Sequence, residues 1–342
     1  MRHTVTVLAA LTAALTVHAS SWAQESDPFH GKDISLIVGN GPAGGFDQSA
    51  RLFVRHYGRF LPGNPLVVVK NVPGAGGLIA ANHIFNVAPK DGTELGLFPT
   101  SVALEPLFHN QQAKYETNKF TWIGNMNSDA SNSCGAWKQS GIKTWQDVKN
   151  RVTTIGAAGP SGESAIYSKV IADLLGLKTK VILGYTSSQT VLVAMQRGEI
   201  DGSCGLNVVA TYAQFKEQAR TGDLVIWMTF GRQRVSEFPD APTVYELIKN
   251  DNDMKVAELV FGQNRINRGL SAPPGLSPQL TKRLRTAFMA TMTDKTFLAD
   301  AEKSGVLIHP MTGEETATIY QSFYDEPKEV VERTIKIMGR ME

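Results

Sequence analysis

Cysteine is almost missing from this chain of 342 residues: only Cys134 and Cys204 occur. That scarcity excludes a small disulfide-stapled scaffold and a cysteine-based zinc centre. The seven histidines are scattered and never join Cys, Asp or Glu at metal-ligand spacing, so neither a metal nor a cofactor is expected. An excess of one charge is missing as well. A net charge of +2, spread without a basic stripe or tail, argues against nucleic acid and against electrostatic membrane binding. Beyond the N-terminus no apolar run reaches transmembrane length, and the run from Val5 to Val17 is itself too short for a permanent span. It follows Arg2 and His3 and leads to Ser21-Trp22-Ala23, a small-x-small cleavage site, so 1–23 is expected to be a secretory signal peptide. No cysteine stands at that site to take a lipid. The mature chain is expected to start near Gln24 and to be periplasmic. In an exported protein the even cysteine pair leans towards a disulfide, with two separate buried thiols as the alternative.

Low-complexity linkers and internal repeats are absent too. What the chain has is a regular alternation of strands and helices. Strand candidates fall at 33–39, 66–72, 94–99, 120–126, 132–137, 153–158, 180–185, 201–206 and 224–230. Helices between them give the pattern of a mainly parallel α/β sheet. Roughly 320 mature residues are long for one core, so two domains are expected. Without a linker, the chain must cross between them inside strands, at 120–128 and again at 222–231, which makes a hinge. The expected first domain is discontinuous, 24–125 plus 229–342, and the second is 126–228.

The most telling stretch joins the strand at Ile34 to a glycine-rich turn, Gly39-Asn40-Gly41-Pro42-Ala43-Gly44-Gly45-Phe46-Asp47. Ala50, Phe53, Val54 and Tyr57 then recur at helical spacing, and Gly58 closes that helix. Glycines let the backbone approach a ligand, and the free N–H groups of the first helical turn point at it, which makes an anion site. A packing turn without a ligand is the alternative. The turn formally matches G-x-G-x-x-G, but the next strand ends in Lys70-Asn71-Val72-Pro73 without the acid a dinucleotide ribose needs. Asp47 is expected at or near the helix N-cap, where Asn would serve as well.

Other turns sit at strand ends. Asn71-Val72-Pro73-Gly74-Ala75-Gly76-Gly77 opens a helix, and Thr100 and Ser101 bring two hydroxyls to the end of a third strand. In the second half, Ala158 and Gly159-Pro160-Ser161-Gly162-Glu163-Ser164 repeat the strand–turn–helix device, and Tyr185-Thr186-Ser187-Ser188 follows another strand. The nucleophile elbow G-x-S-x-G is not present, and no Asp–His pair completes a triad. Beyond Asp47 and Glu163 the turns hold no acid, base or nucleophile, so binding without turnover is the simpler reading. They hold no Arg, Lys or His either. Recognition is therefore expected to rest on backbone N–H groups.

Five segments in order carry a family resemblance: Gly44-Gly45-x-Asp47, Asn71-x-Pro73-Gly74-Ala75-Gly76-Gly77, Gly198-x-Ile200-Asp201, Phe238-Pro239-Asp240-Ala241-Pro242-Thr243 and Ala272-Pro273-Pro274-Gly275. From about Phe29 onwards the chain resembles the extracytoplasmic, Bug-type receptors of tripartite tricarboxylate transporters. The resemblance implies an α/β fold of the type II periplasmic-binding class, a two-domain Venus flytrap with its ligand cleft between the domains. It implies a receptor, not an enzyme, that hands a small organic carboxylate (mono-, di- or tricarboxylate, aromatic ones included) to membrane subunits while itself a monomer. By resemblance the carboxylate loops are Ala43–Asp47 and Ala158–Ser164, so the ligand-binding set is Ala43, Gly44, Gly45, Phe46, Asp47, Thr100, Ser101, Ala158, Gly159, Ser161, Gly162, Ser164, Tyr185, Thr186 and Asn207. The chain departs from the commonest pattern at Pro160–Glu163, at Tyr185–Ser188 and at Gly205-Leu206-Asn207, and paired cysteines resemble a subgroup. A ligand sensor of the same fold and an exported enzyme are the competing readings.

Overall fold

The computed structural model describes residues 28–128, 131–157, 159–160, 162–185 and 188–339. The expected signal peptide and the candidate residues Ala158, Ser161 and Thr186 lie outside them.

Strands alternate with helices along most of the chain. The first half holds β1 (Ile34–Val38), β2 (Val67–Asn71), β3 (Glu94–Leu97), β4 (Thr121–Asn125), β5 (Asn132–Trp137) and β6 (Val152–Ala157). Then come β7 (Lys178–Leu183), β8 (Gly202–Asn207), β9 (Leu224–Thr229), β10 (Gly269–Ala272) and β11 (Met311–Thr312). The helices are α1 (Gly45–Tyr57), α2 (Leu78–Asn86), α3 (Trp145–Lys149), α4 (Glu163–Leu175), α5 (Ser188–Gln196), α6 (Val208–Gln214) and α7 (Lys216–Thr221). They continue with α8 (Val244–Leu247), α9 (Asp251–Phe261), α10 (Pro278–Thr293), α11 (Lys295–Lys303), α12 (Gly313–Tyr324) and α13 (Lys328–Met338). Among the described residues no helix is long and apolar enough to cross a membrane.

The strands build two mixed sheets, ordered β11-β4-β10-β3-β1-β2 and β7-β6-β8-β5-β9. In the first, β1 pairs in parallel with β2 and β3, while β10 inserts antiparallel between β3 and β4. The apolar run of β1 is buried, as a central strand covered on both faces requires. Phe53 and Tyr57 of α1 stack at 4.6 Å and pack with Phe288 of α10 over this sheet.

In the second sheet β6 is parallel to β7 and β8, and β5 runs antiparallel between β8 and β9. Cys134 and Cys204 face each other in the β5–β8 register and form a disulfide, with Cα atoms 4.0 Å apart. The pairing left open by the cysteine count is thereby settled.

The first crossing between the sheets follows β4, where residues 126–128 lead into β5. The second lies beyond β9. β9 is an edge strand of the second sheet, and the chain rejoins the first sheet only at β10. In between, α9 packs on α4 and α13. Buried Asn125 ties the two crossings together: its Nδ2 donates to the Arg265 carbonyl and its Oδ1 accepts from the Arg268 N–H, each at 3.0 Å.

Candidate functional site

At the C-terminal end of β1 the chain turns through Ala43, a non-glycine residue at φ +65°, before α1 begins at Gly45. Asp47 holds this turn. Its carboxylate is 2 % exposed and accepts from the Ala43 N–H at 2.9 Å, Arg51 Nε at 2.8 Å and Asn71 Nδ2 at 2.9 Å. The Arg51 guanidinium, helped by Ala43 and Asn71, holds the Asp47 carboxyl down at about 2 against the opposing effect of burial. Asp47 therefore stands in the third helical position, folded back on the loop.

The second glycine turn supplies Asn71, which also donates to the Asn40 carbonyl at 3.0 Å. Gly77 in that turn sits at φ +104°, and a Cβ there would come within 2.7 Å of Pro99. Only glycine fits, so the turns after β1, β2 and β3 nest against one another.

Between the two sheets lies a cleft of about 460 Å³. Its first wall carries Gly45, Phe46, Ser49, Thr100, Asn267 and Arg268, and its second wall Asn132, Glu163, Gly205 and Asn207, with Asn264 at the junction. Of the residues proposed from sequence, Gly45, Phe46, Thr100 and Asn207 line it. Ala43, Gly44, Asp47, Ser101, Gly159, Gly162, Ser164 and Tyr185 are not among its lining residues. The Ser164 hydroxyl donates to the Gly156 carbonyl at 2.6 Å, and Tyr185 packs with the core beside α5.

The structure adds a cation that the turns themselves lack. Arg268, just before β10, donates from Nε to Ser49 Oγ at 3.1 Å and from Nη1 to Asn267 Oδ1 at 2.6 Å. Its guanidinium carbon lies 3.9 Å from the centre of the Phe46 ring. A Cβ on Gly45 would stand 3.2 Å from Nη2, so this glycine leaves room for the close approach of Arg268; its φ is not positive. Among the described residues no carboxylate pairs with Arg268, and burial alone pulls it down to about 10, still a cation at neutral pH. An unpaired, enclosed guanidinium beside the first turn of a helix is suited to a carboxylate, which both would attract.

The second wall is built on α4. Tyr167 meets the stacked rings of Phe230 and Phe261 edge-on and donates its hydroxyl to Asn264 Oδ1 at 2.9 Å. Asn264 Nδ2 is buried and has no hydrogen-bond partner, so a donor is left over beside the cleft. Another hollow, of about 780 Å³, adjoins Asn264 on its other side. Of its arginines, Arg232 and Arg234 are paired with Glu258 and Glu246, each at 2.6 Å, while Arg265 also lines it.

The pattern described as "Tripartite tricarboxylate transporter family receptor" matches residues 62–335. The chain belongs to that family. Its members are solute-binding receptors, not enzymes. A UPF0065 protein in the gbd 5′ region of Cupriavidus necator is 26 % identical over 341 residues, covering 95 % of this chain and 94 % of that one. A TctC solute-binding protein from Polaromonas superposes with a TM-score of 0.67 at 20 % identity, over 88 % of this chain and 98 % of its own. MatC from Rhodopseudomonas palustris, solved with bound malate, gives 0.58 at 19 % identity over 90 % and 98 %. An R. palustris protein solved with adipate gives 0.63 at 15 % over 90 % and 97 %. These structural likenesses establish the fold of this family member as that of periplasmic binding proteins of the TctC type.

Proposed function

We propose that this receptor captures a small organic carboxylate in the periplasm by closing its two lobes and delivers it to the membrane subunits of a transporter. The observation that carries this reading is Arg268: an enclosed cation without a counter-charge, beside the N-terminus of α1, in the cleft between the sheets. The malate and adipate bound by two proteins of the same fold agree with it. In this reading the carboxylate takes Arg268 Nη2, the first-turn N–H groups of α1 and the Thr100 hydroxyl, and Asn207 and the turn at 158–164 close on it from the other side. The proposed lobes are 24–125 plus 229–342 and 126–228, with α9 and α13 of the first packing on α4 of the second. The signal peptide 1–23 would be removed on export.

A carboxylate panel tests the reading. A ligand at 100 times its dissociation constant should stabilise the protein by about 2.7 kcal/mol, raise the melting temperature, and be recovered unchanged. Uptake of that ligand by cells should be lost when the receptor is deleted. No stabilisation by any carboxylate, or turnover of the bound compound, would reject the proposal.

A further inference from the structure

The two walls of the cleft carry opposite charges that do not meet. Arg268 belongs to the first wall and Glu163, the first residue of α4, to the second. Glu163 is half-buried and lines the cleft. Its hydrogen bond from Asn132 Nδ2 is long, 3.4 Å, and Asn132 shares its amide with Asn264 Oδ1 at 3.3 Å. Among the described residues no cation pairs with Glu163, and burial pushes its carboxyl above the ordinary range, a shift that a ligand cation beside it would oppose. Gly205 at φ +74° leaves room for the Glu163 Cβ, which a side chain at 205 would approach within 3.2 Å. Among the described residues this carboxylate has one long hydrogen bond and no cation, and it lines the space a ligand fills.

The rest of that wall is neutral. Asn132, Gly205 and Asn207 offer amide and backbone groups, and the Asn207 side-chain oxygen already accepts from the Ala210 N–H at 3.0 Å. A ligand with carboxylates at both ends would bring its second negative charge towards Glu163 with no cation on that wall to offset it. Like charges in an enclosed site disfavour each other strongly. A ligand with one positive end would instead satisfy both walls at once.

We infer that the solute is an amino-carboxylate, its carboxylate on the Arg268 side and its protonated amine received by Glu163 and Asn132 as the lobes close. This inference rests on the carboxylate-receptor reading and narrows it. Glu163 is then the specificity-determining residue, and Arg268 the general carboxylate anchor.

Calorimetry with matched ligands separates the two claims. The pairs are glutarate with 4-aminobutyrate, adipate with 5-aminopentanoate, and succinate with 3-aminopropanoate. At least one amino-carboxylate should bind tenfold or more tightly than its amine-free match. Glu163→Gln should weaken that ligand at least tenfold and leave the match unchanged or tighter, whereas Glu163→Asp should keep much of the preference. Thermal melts establish that each variant is folded. Equal or tighter binding of the amine-free compounds, with Glu163→Gln acting on both alike, overturns the inference while leaving the carboxylate receptor standing. Failure of every compound in both classes overturns both.

Discussion

Arg268 lays its guanidinium on the face of Phe46, 3.9 Å from the ring centre, while its Nε donates to Ser49 one turn further along the same helix. The ring and the hydroxyl orient a cation that has no acid beside it. A planar guanidinium can stack and still offer a fork of N–H groups, which an ammonium cannot.

Arg268→Gln should therefore weaken carboxylate binding by about 2–4 kcal/mol, since the ligand would lose its buried charged partner. The unliganded protein should keep or gain stability, because an uncompensated buried charge is costly. Arg268→Lys should fall between. Calorimetry and thermal melting on the same preparations check both directions.

Gly45→Ala should displace Nη2 by a few tenths of an ångström, and Gly45→Val by more. Affinity should drop modestly for the first and at least tenfold for the second. Neither should cost the free protein much, because the backbone at 45 needs no positive φ. Wild-type affinity in Gly45→Val would mean that the turn only packs.

Asp47→Asn looks harmless if the residue is a simple cap. The structure predicts otherwise, because three donors converge on the carboxylate and an amide would turn an N–H towards one of them. A loss of about 1–3 kcal/mol is expected from urea denaturation. The folded Asp47 value, about 2, lies below the ordinary 3.8, so its contribution is present above 3.8 and is lost as the pH falls towards 2. The variant should be less sensitive to acid over that interval.

Replacing both Cys134 and Cys204 by Ala should lower stability by up to roughly 4 kcal/mol, since the bond closes a loop of 70 residues. Carboxylate affinity should survive, because β5 and β8 remain paired through their ladder. Denaturation of the oxidised, reduced and doubly substituted proteins gives the comparison.

Nine strands and the glycine turns were legible because their signals are local: a short apolar run, a glycine, a helical period. A capping box at Thr144 and Asp147 opens α3 through an equally local pattern. β10 and β11 were missed. Each is short, and β10 is defined by pairing with Leu97 and Asn125, far away in sequence. Arg268 was missed with β10, since a single arginine in a polar stretch carries no period or spacing. The resembling segments also proved mostly architectural. Asp201 accepts from the Thr154 N–H and pairs with Arg151, and Thr243 caps α8. They mark the fold reliably and say little about what enters the cleft.

The last helix has a practical consequence. α12 packs on β4 in the first sheet, whereas α13, three residues later, lies against α4 and α9 on the other side of the cleft. If the proposed lobes close, a dye at exposed Lys336 of α13 would follow the second through α4, although the helix just before it packs on the first. Paired with a label at exposed Lys32, beside β1, it would report the distance between the lobes directly, and solute capture could be watched as energy transfer without touching the cleft.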